Sequence, residues 1–276
     1  MKKLLVASDL SERSERAVQR AVQLASAHGA ALTALSVVDN DLPADMAEAH
    51  ERSAAASLGQ LKGRLSQADG PIEIDIRVER GDPLTQIHAV AAEIGAELIV
   101  LGVHRQRPWM DLLVGSTMER LVRGASQPVL LASDPVNGPY ARALCGLDLS
   151  PSCLAALWAV SRLAPEAAIE TVHAVQVPFR GLLSSNDVEE ASPFLAEARS
   201  RMDAWLADVS LPQQCVAPRL LAGGRAQALG QAFQESGADL IAIGAHGRSS
   251  VSPNALGSFT EELLRRRPCD ILVVRA

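Results

Sequence analysis

Gly244-Ala245-His246-Gly247, nine residues from Arg248 to Leu256, and then Gly257-Ser258 form a stretch whose residue types and spacing suit one chemistry, the holding of an anion. Glycine has no Cβ, so backbone there can approach phosphate oxygens closely and adopt positive φ, letting successive N–H groups converge. Gly257-Ser258 opens a helix-forming run, and the free N–H groups and dipole of a helix N-terminus favour negative charge. Two such glycines alone would be ordinary turn punctuation. The full spacing, placed behind the buried-type run Leu240-Ile241-Ala242-Ile243, points to phosphate.

The same layout occurs earlier in the chain. Ala96-Glu97-Leu98-Ile99-Val100-Leu101-Gly102-Val103-His104 matches Ala238 to His246, and Gly115-Ser116 matches Gly257-Ser258 at the same distance from Gly-x-His. Leu4 to Ser11 likewise recurs as Ala143 to Ser150. Three segments matching in the same order identify a duplication. The join lies near Asn137-Gly138-Pro139, a turn-forming tripeptide, which gives expected domains at 1–136 and 140–276. The copies differ at one motif position, where Arg105 replaces the glycine at 247. A long side chain makes a close-approach, positive-φ position costly, so the first loop is expected to be degenerate. The alternative is that the Arg105 guanidinium meets phosphate as a bidentate donor.

The elements that position these residues alternate between strand and helix periods. In the first copy strands are expected at Leu4–Ala7, Ala31–Val38, Ile72–Val78, Leu98–Leu101 and Val129–Ala132. Helices are expected after Ser11 or Ser14, over Pro43–Leu65, Pro83–Ile94 and Ser116–Arg123. The second copy predicts helices at Cys153–Leu163, Pro193–Val209, Ala226–Glu235 and Ser258–Arg266. Its later strands are expected at Ile169–Val175, Val216–Leu221, Leu240–Ile243 and Ile271–Val274. Such alternation implies right-handed crossovers and a parallel sheet covered on both faces. The expected fold is α/β: two tandem doubly wound domains, each with five parallel strands and about four helices.

Composition bounds the function classes. Hydrophobic residues make up 48% of the 276 residues and aromatics 3%, so the cores must be aliphatic. A formal net charge of −6 argues against nucleic-acid binding. No run approaches the roughly 18 apolar residues of a membrane span, and the apolar start Leu4 to Ala7 is too short for a signal sequence, so a cytoplasmic protein is expected. Cys145, Cys153, Cys215 and Cys269 have no C-x-x-C spacing, and buried thiols are the ordinary reading.

Gly-x-x-Gly-x9-Gly-Ser behind a buried strand, with Asp148 ending the first strand of its copy, resembles the universal stress protein family. The resemblance spans nearly the whole chain, twice, and implies a tandem member with Rossmann-like five-stranded domains that pair through their last strands. One branch of that family binds ATP or a related adenine nucleotide through this motif, and another lacks the motif. By this resemblance the second copy holds ATP or AMP, with Mg²⁺ accompanying ATP. Asp148 then lies near the adenine and the Ala174 backbone lines the base pocket. Gly244 and Gly247 lie against ribose and phosphates, and Gly257 and Ser258 on the phosphates. Asp148 also suits a helix N-cap or turn. The closing strands would associate within one chain as an intramolecular pseudo-dimer, with a further homodimer open.

His246, like His104, follows a strand-end glycine, and its reading is a loop role, one ring nitrogen bonding local backbone. Neither has a Ser or Cys and Asp placed for a triad, so no catalytic residue is assigned. His28, His50, His88 and His173 lack metal-ligand spacing. Gly223-Gly224-Arg225 stands where the first copy has Gly81-Asp82-Pro83, and Arg225 is read as a solvated surface residue. Leu42–Leu65 and Gly181–Val209 are expected to cover the crevices, with Phe194 and Trp205 packing the second one down. Beside nucleotide binding in a stress-response regulatory module, two readings stand: a slow ATPase using the same loop, and an interaction protein with an empty crevice.

Overall fold

Strand β1 (Lys3–Ala7) is an apolar run buried at Leu4, Leu5 and Val6, and helix α1 (Glu12–His28) returns over it. Ser11 caps α1, its hydroxyl accepting from the Ser14 amide at 3.3 Å. The computed structural model describes residues 1–40, 43–68, 72–102, 117–177, 188–245, 258–266 and 268–275. The chain divides into two compact units, Met1–Pro139 and Tyr140–Ala276.

The first unit continues with β2 (Ala31–Val38), α2 (Ala44–Ala68), β3 (Ile74–Arg80), α3 (Pro83–Ile94), β4 (Leu98–Gly102), α4 (Thr117–Gly124) and β5 (Val129–Ala132). Its strands run in the order β3-β2-β1-β4-β5, each pair parallel. The second unit comprises β6 (Arg142–Leu147), α5 (Pro151–Leu163), β7 (Ala168–Val175), α6 (Val188–Asp208), β8 (Arg219–Ala222), α7 (Arg225–Ser236), β9 (Leu240–Gly244), α8 (Ser258–Arg266) and β10 (Asp270–Val274). Its order is β8-β7-β6-β9-β10, again parallel throughout. The expected Rossmann-like sheet is therefore present in each unit. Leu98 to Leu101, Leu240 to Ile243 and Ile271 to Val274 are buried, as strands covered on both faces must be.

The order reverses between β1 and β4 in one unit and between β6 and β9 in the other. Chain leaving those neighbours diverges at their carboxyl ends and opens a crevice there.

Three expectations need correction. Helix α6 starts at Val188, so Pro193 lies inside it, where it removes the hydrogen bond to the carbonyl four residues back and its ring crowds that carbonyl. Strand β8 is shorter than Val216–Leu221. The Val216 amide donates to the Ile169 carbonyl at 2.8 Å, but Pro218, which has no N–H, separates that contact from the ladder resuming at Arg219. Phe194 does not pack α6 down: it is exposed, and Trp205 is half-buried. Among its described side chains, α6 buries Ala198 and Met202, one helical turn apart on one face.

Candidate functional site

At the carboxyl ends of β6, β7 and β9 the second unit encloses a cavity of about 310 Å³. Asp148, His173, Ala174 and Gly244 line it from the strand ends, and Arg201 and Arg225 from helices α6 and α7. The first turn of α8 contributes Phe259 and Thr260. Of the residues singled out in the sequence, Asp148, Ala174 and Gly244 are thus brought together. Ser258 is the first residue of α8, and His246, Gly247 and Gly257 lie outside the described residues, as does Arg105.

Asp148 is a turn residue rather than the cap. Its Oδ1 accepts from the Ser150 amide at 3.0 Å, and the N-cap of α5 is Ser150, whose hydroxyl accepts from the Cys153 amide at 3.2 Å. Between them Leu149 adopts φ 62°, a left-handed conformation uncommon for a side chain of this size. The first unit builds the same turn: Leu10 has φ 62°, and Asp9 Oδ1 accepts from the Ser11 amide at 3.0 Å. A repeated conformation that costs on the order of 1–3 kcal/mol is fixed by its surroundings. Here it re-aims the chain from strand to helix and leaves Asp148, half-buried, on the cavity wall.

Gly244 has a second reason to be glycine. A Cβ on it would stand 2.7 Å from the Ser152 carbonyl carbon and 2.8 Å from the Cys153 nitrogen, so the first turn of α5 needs the space. Gly102 meets Ser14 Cα at 2.6 Å in the same way. Close approach is real at this position, and its partner within the described residues is a helix.

His173, which lacks metal-ligand spacing, and Arg201, which belongs to no motif, both line the cavity. His173 Nδ1 lies 2.8 Å from the Leu147 carbonyl oxygen. A carbonyl can only accept, so Nδ1 carries the proton in this contact and Nε2 remains for another partner. Its position at the carboxyl end of β7 could have flagged it, since ligands gather at such ends. The first unit has Ser36 at the matching strand position. Arg225 is exposed, as expected, yet it also lines the cavity.

Three of the four thiols of the chain are held protonated rather than activated. Burial pushes the Cys145 and Cys153 thiols up, and Cys215 up to about 11. Cys153 Sγ instead donates to the Ser150 carbonyl at 3.1 Å. Among the described residues no group of three or more His, Cys, Asp or Glu side chains could hold a metal ion, and no helix is long and apolar enough to cross a membrane.

The model of the universal stress protein family matches residues 1–133 and 139–275. A 137-residue stretch is 31% identical to a Staphylococcus haemolyticus protein assigned to that family, covering 47% of this chain and 83% of the relative. A universal stress protein of Methanocaldococcus jannaschii is 28% identical over 143 residues, 49% of this chain and 83% of its own. Over full length, the crystal structure of a universal stress protein from Archaeoglobus fulgidus superimposes with a TM-score of 0.71 at 20% identity, covering 99% of this chain and 98% of that one. A functionally unknown protein from Pseudomonas aeruginosa gives 0.66 at 17%, covering 100% and 92%. These structural likenesses establish the fold.

Proposed function

The chain belongs to the universal stress protein family, as two tandem copies, and we propose that its second unit binds one adenine nucleotide, ATP or AMP, as a stress-response regulatory module. One observation carries this reading: Asp148, Ala174, Gly244 and the first turn of α8 all face one cavity. Phosphates are held toward β9 by Gly244, Gly247, Gly257 and Ser258, where the α8 N-terminus supplies N–H donors and a favourable dipole. His246 belongs to the same set of nucleotide-binding residues. The base lies toward Asp148 and the Ala174 backbone, and Mg²⁺ accompanies ATP. With Arg105 in place of a loop glycine, the first unit binds nucleotide weakly or not at all.

Binding rather than turnover is favoured because the sequence offers no obvious general base beside the loop glycines. The same proposal includes a cytoplasmic location and pairing of the closing strands, Val129–Ala132 and Ile271–Val274, within one chain.

The test is mass spectrometry of the full chain denatured directly from purification, together with thermal melting on addition of ATP. Co-purified adenine nucleotide or a rise in Tm is expected, since ligand at about 100 times Kd adds about 2.7 kcal/mol to the folded state. Gly247→Arg should abolish both. Absence of nucleotide together with no thermal shift would overturn the proposal.

A further inference from the structure

Two guanidinium groups on the cavity wall have no role in the reading above. Arg225 is the first residue of α7, and Arg201 projects from α6; both are exposed and both line the cavity. Arg201 Nε lies 3.8 Å from Glu197 Oε1, with both side chains more than half exposed, a pairing worth little in water. Among the described residues Arg225 makes no ion pair. The carboxylate that shares the cavity, Asp148, turns Oδ1 to the Ser150 amide.

The local charge differs sharply from the first unit. There Asp82 caps α3, its Oδ1 accepting from the Thr85 amide at 2.9 Å, and Pro83 follows. Here Gly224 caps α7 with no side chain and Arg225 follows, so a carboxylate has given way to a guanidinium at the same corner.

Topology places this corner away from the phosphate end. Helix α6 packs on β7 and β8, and α7 begins directly after β8 before running back over β7 and β6. Gly244 ends β9, three strands from β8 in the order β8-β7-β6-β9. At about 4.8 Å per strand the two ends are about 14 Å apart. A nucleotide with its phosphates at β9 and its base toward β7 therefore directs the far edge of the base at the two arginines.

We infer that the crevice of the second unit takes an adenine nucleotide whose base carries an anionic substituent, a carboxylate-bearing group on the exocyclic amine, gripped by Arg225 and Arg201. Planar guanidinium groups match carboxylates bidentately, which suits a carboxylate-bearing arm. The inference rests on the proposed nucleotide site and its orientation.

Calorimetry on the nucleotide-stripped full chain tests it, comparing AMP with AMP bearing a succinyl group on N6. The substituted nucleotide is expected to bind at least about tenfold more tightly, as charge-assisted hydrogen bonds would give. That ratio should fall to about one in the double variant Arg201→Ala, Arg225→Ala, and Arg225→Lys, which keeps the charge, should retain part of it. A ratio near one in the native chain overturns the inference while leaving the nucleotide site intact. So does a ratio that persists in the double variant, including equal weakening of both ligands. Binding of neither ligand removes both readings.

Discussion

Gly244 and Ser152 are packed backbone to backbone, so that a methyl group on Gly244 would stand 2.7 Å from the Ser152 carbonyl carbon. The end of β9 and the start of α5 thereby fix each other beside Asp148. Gly244→Ala should destabilise the chain by about 1–3 kcal/mol in urea unfolding, because the atom it strikes is backbone and cannot swing aside. Gly102→Ala should act alike in the first unit, where Ser14 Cα would lie at 2.6 Å. Gly146→Ala is the control: its nearest neighbours would be Ile243 Cγ2 at 3.7 Å and Leu229 Cδ1 at 3.8 Å, ordinary contacts. Equal stability of all three variants would refute this account of the strand-end glycines.

The second unit is tied where it begins. Tyr140, the single tyrosine of the chain, donates its hydroxyl to Asp270 Oδ2 at 2.6 Å, and both residues are buried. Tyr140→Phe keeps the ring and removes one donor from a buried carboxyl. A loss of about 1–3 kcal/mol is expected by chemical denaturation. An unchanged unfolding midpoint would mean that the bond contributes nothing net.

His88 gives the first unit a pH dependence. The residue is half-buried on α3 beside Gly124, whose added Cβ would meet its Nε2 at 2.8 Å, and burial lowers its pKa below the usual 6.5. The unfolded chain therefore takes up this proton at higher pH than the folded one. Stability is full above about pH 6.5 and declines as the pH falls from there toward the lowered folded pKa. His88→Gln should flatten that decline; an identical pH profile in the variant would assign the loss to other groups.

Much of the architecture was legible because strand and helix periods are strong in the buried elements. Ala31–Val38 and Pro83–Ile94 have in the structure the bounds expected from the sequence. Legibility failed where tertiary context outweighed local signals. Pro193 looked like a helix start and lies inside a helix, and Phe194 looked like an anchor and faces solvent. At the site, Asp148 and Gly244 were recognisable from motif spacing. Arg201 was not, since nothing local in a helix shows which cavity a side chain reaches once α6 is folded onto the sheet, and His173 carried only the general signal of a strand's carboxyl end.

The asymmetry between the loops, Arg105 in one and Gly247 in the other, is the central claim, and the number of nucleotides bound per chain tests it most directly. Titration calorimetry with ATP on the stripped full chain should give one site, none in Gly247→Arg, and a rise toward two in Arg105→Gly. Two equivalent sites in the native chain, or binding that survives Gly247→Arg, would contradict it.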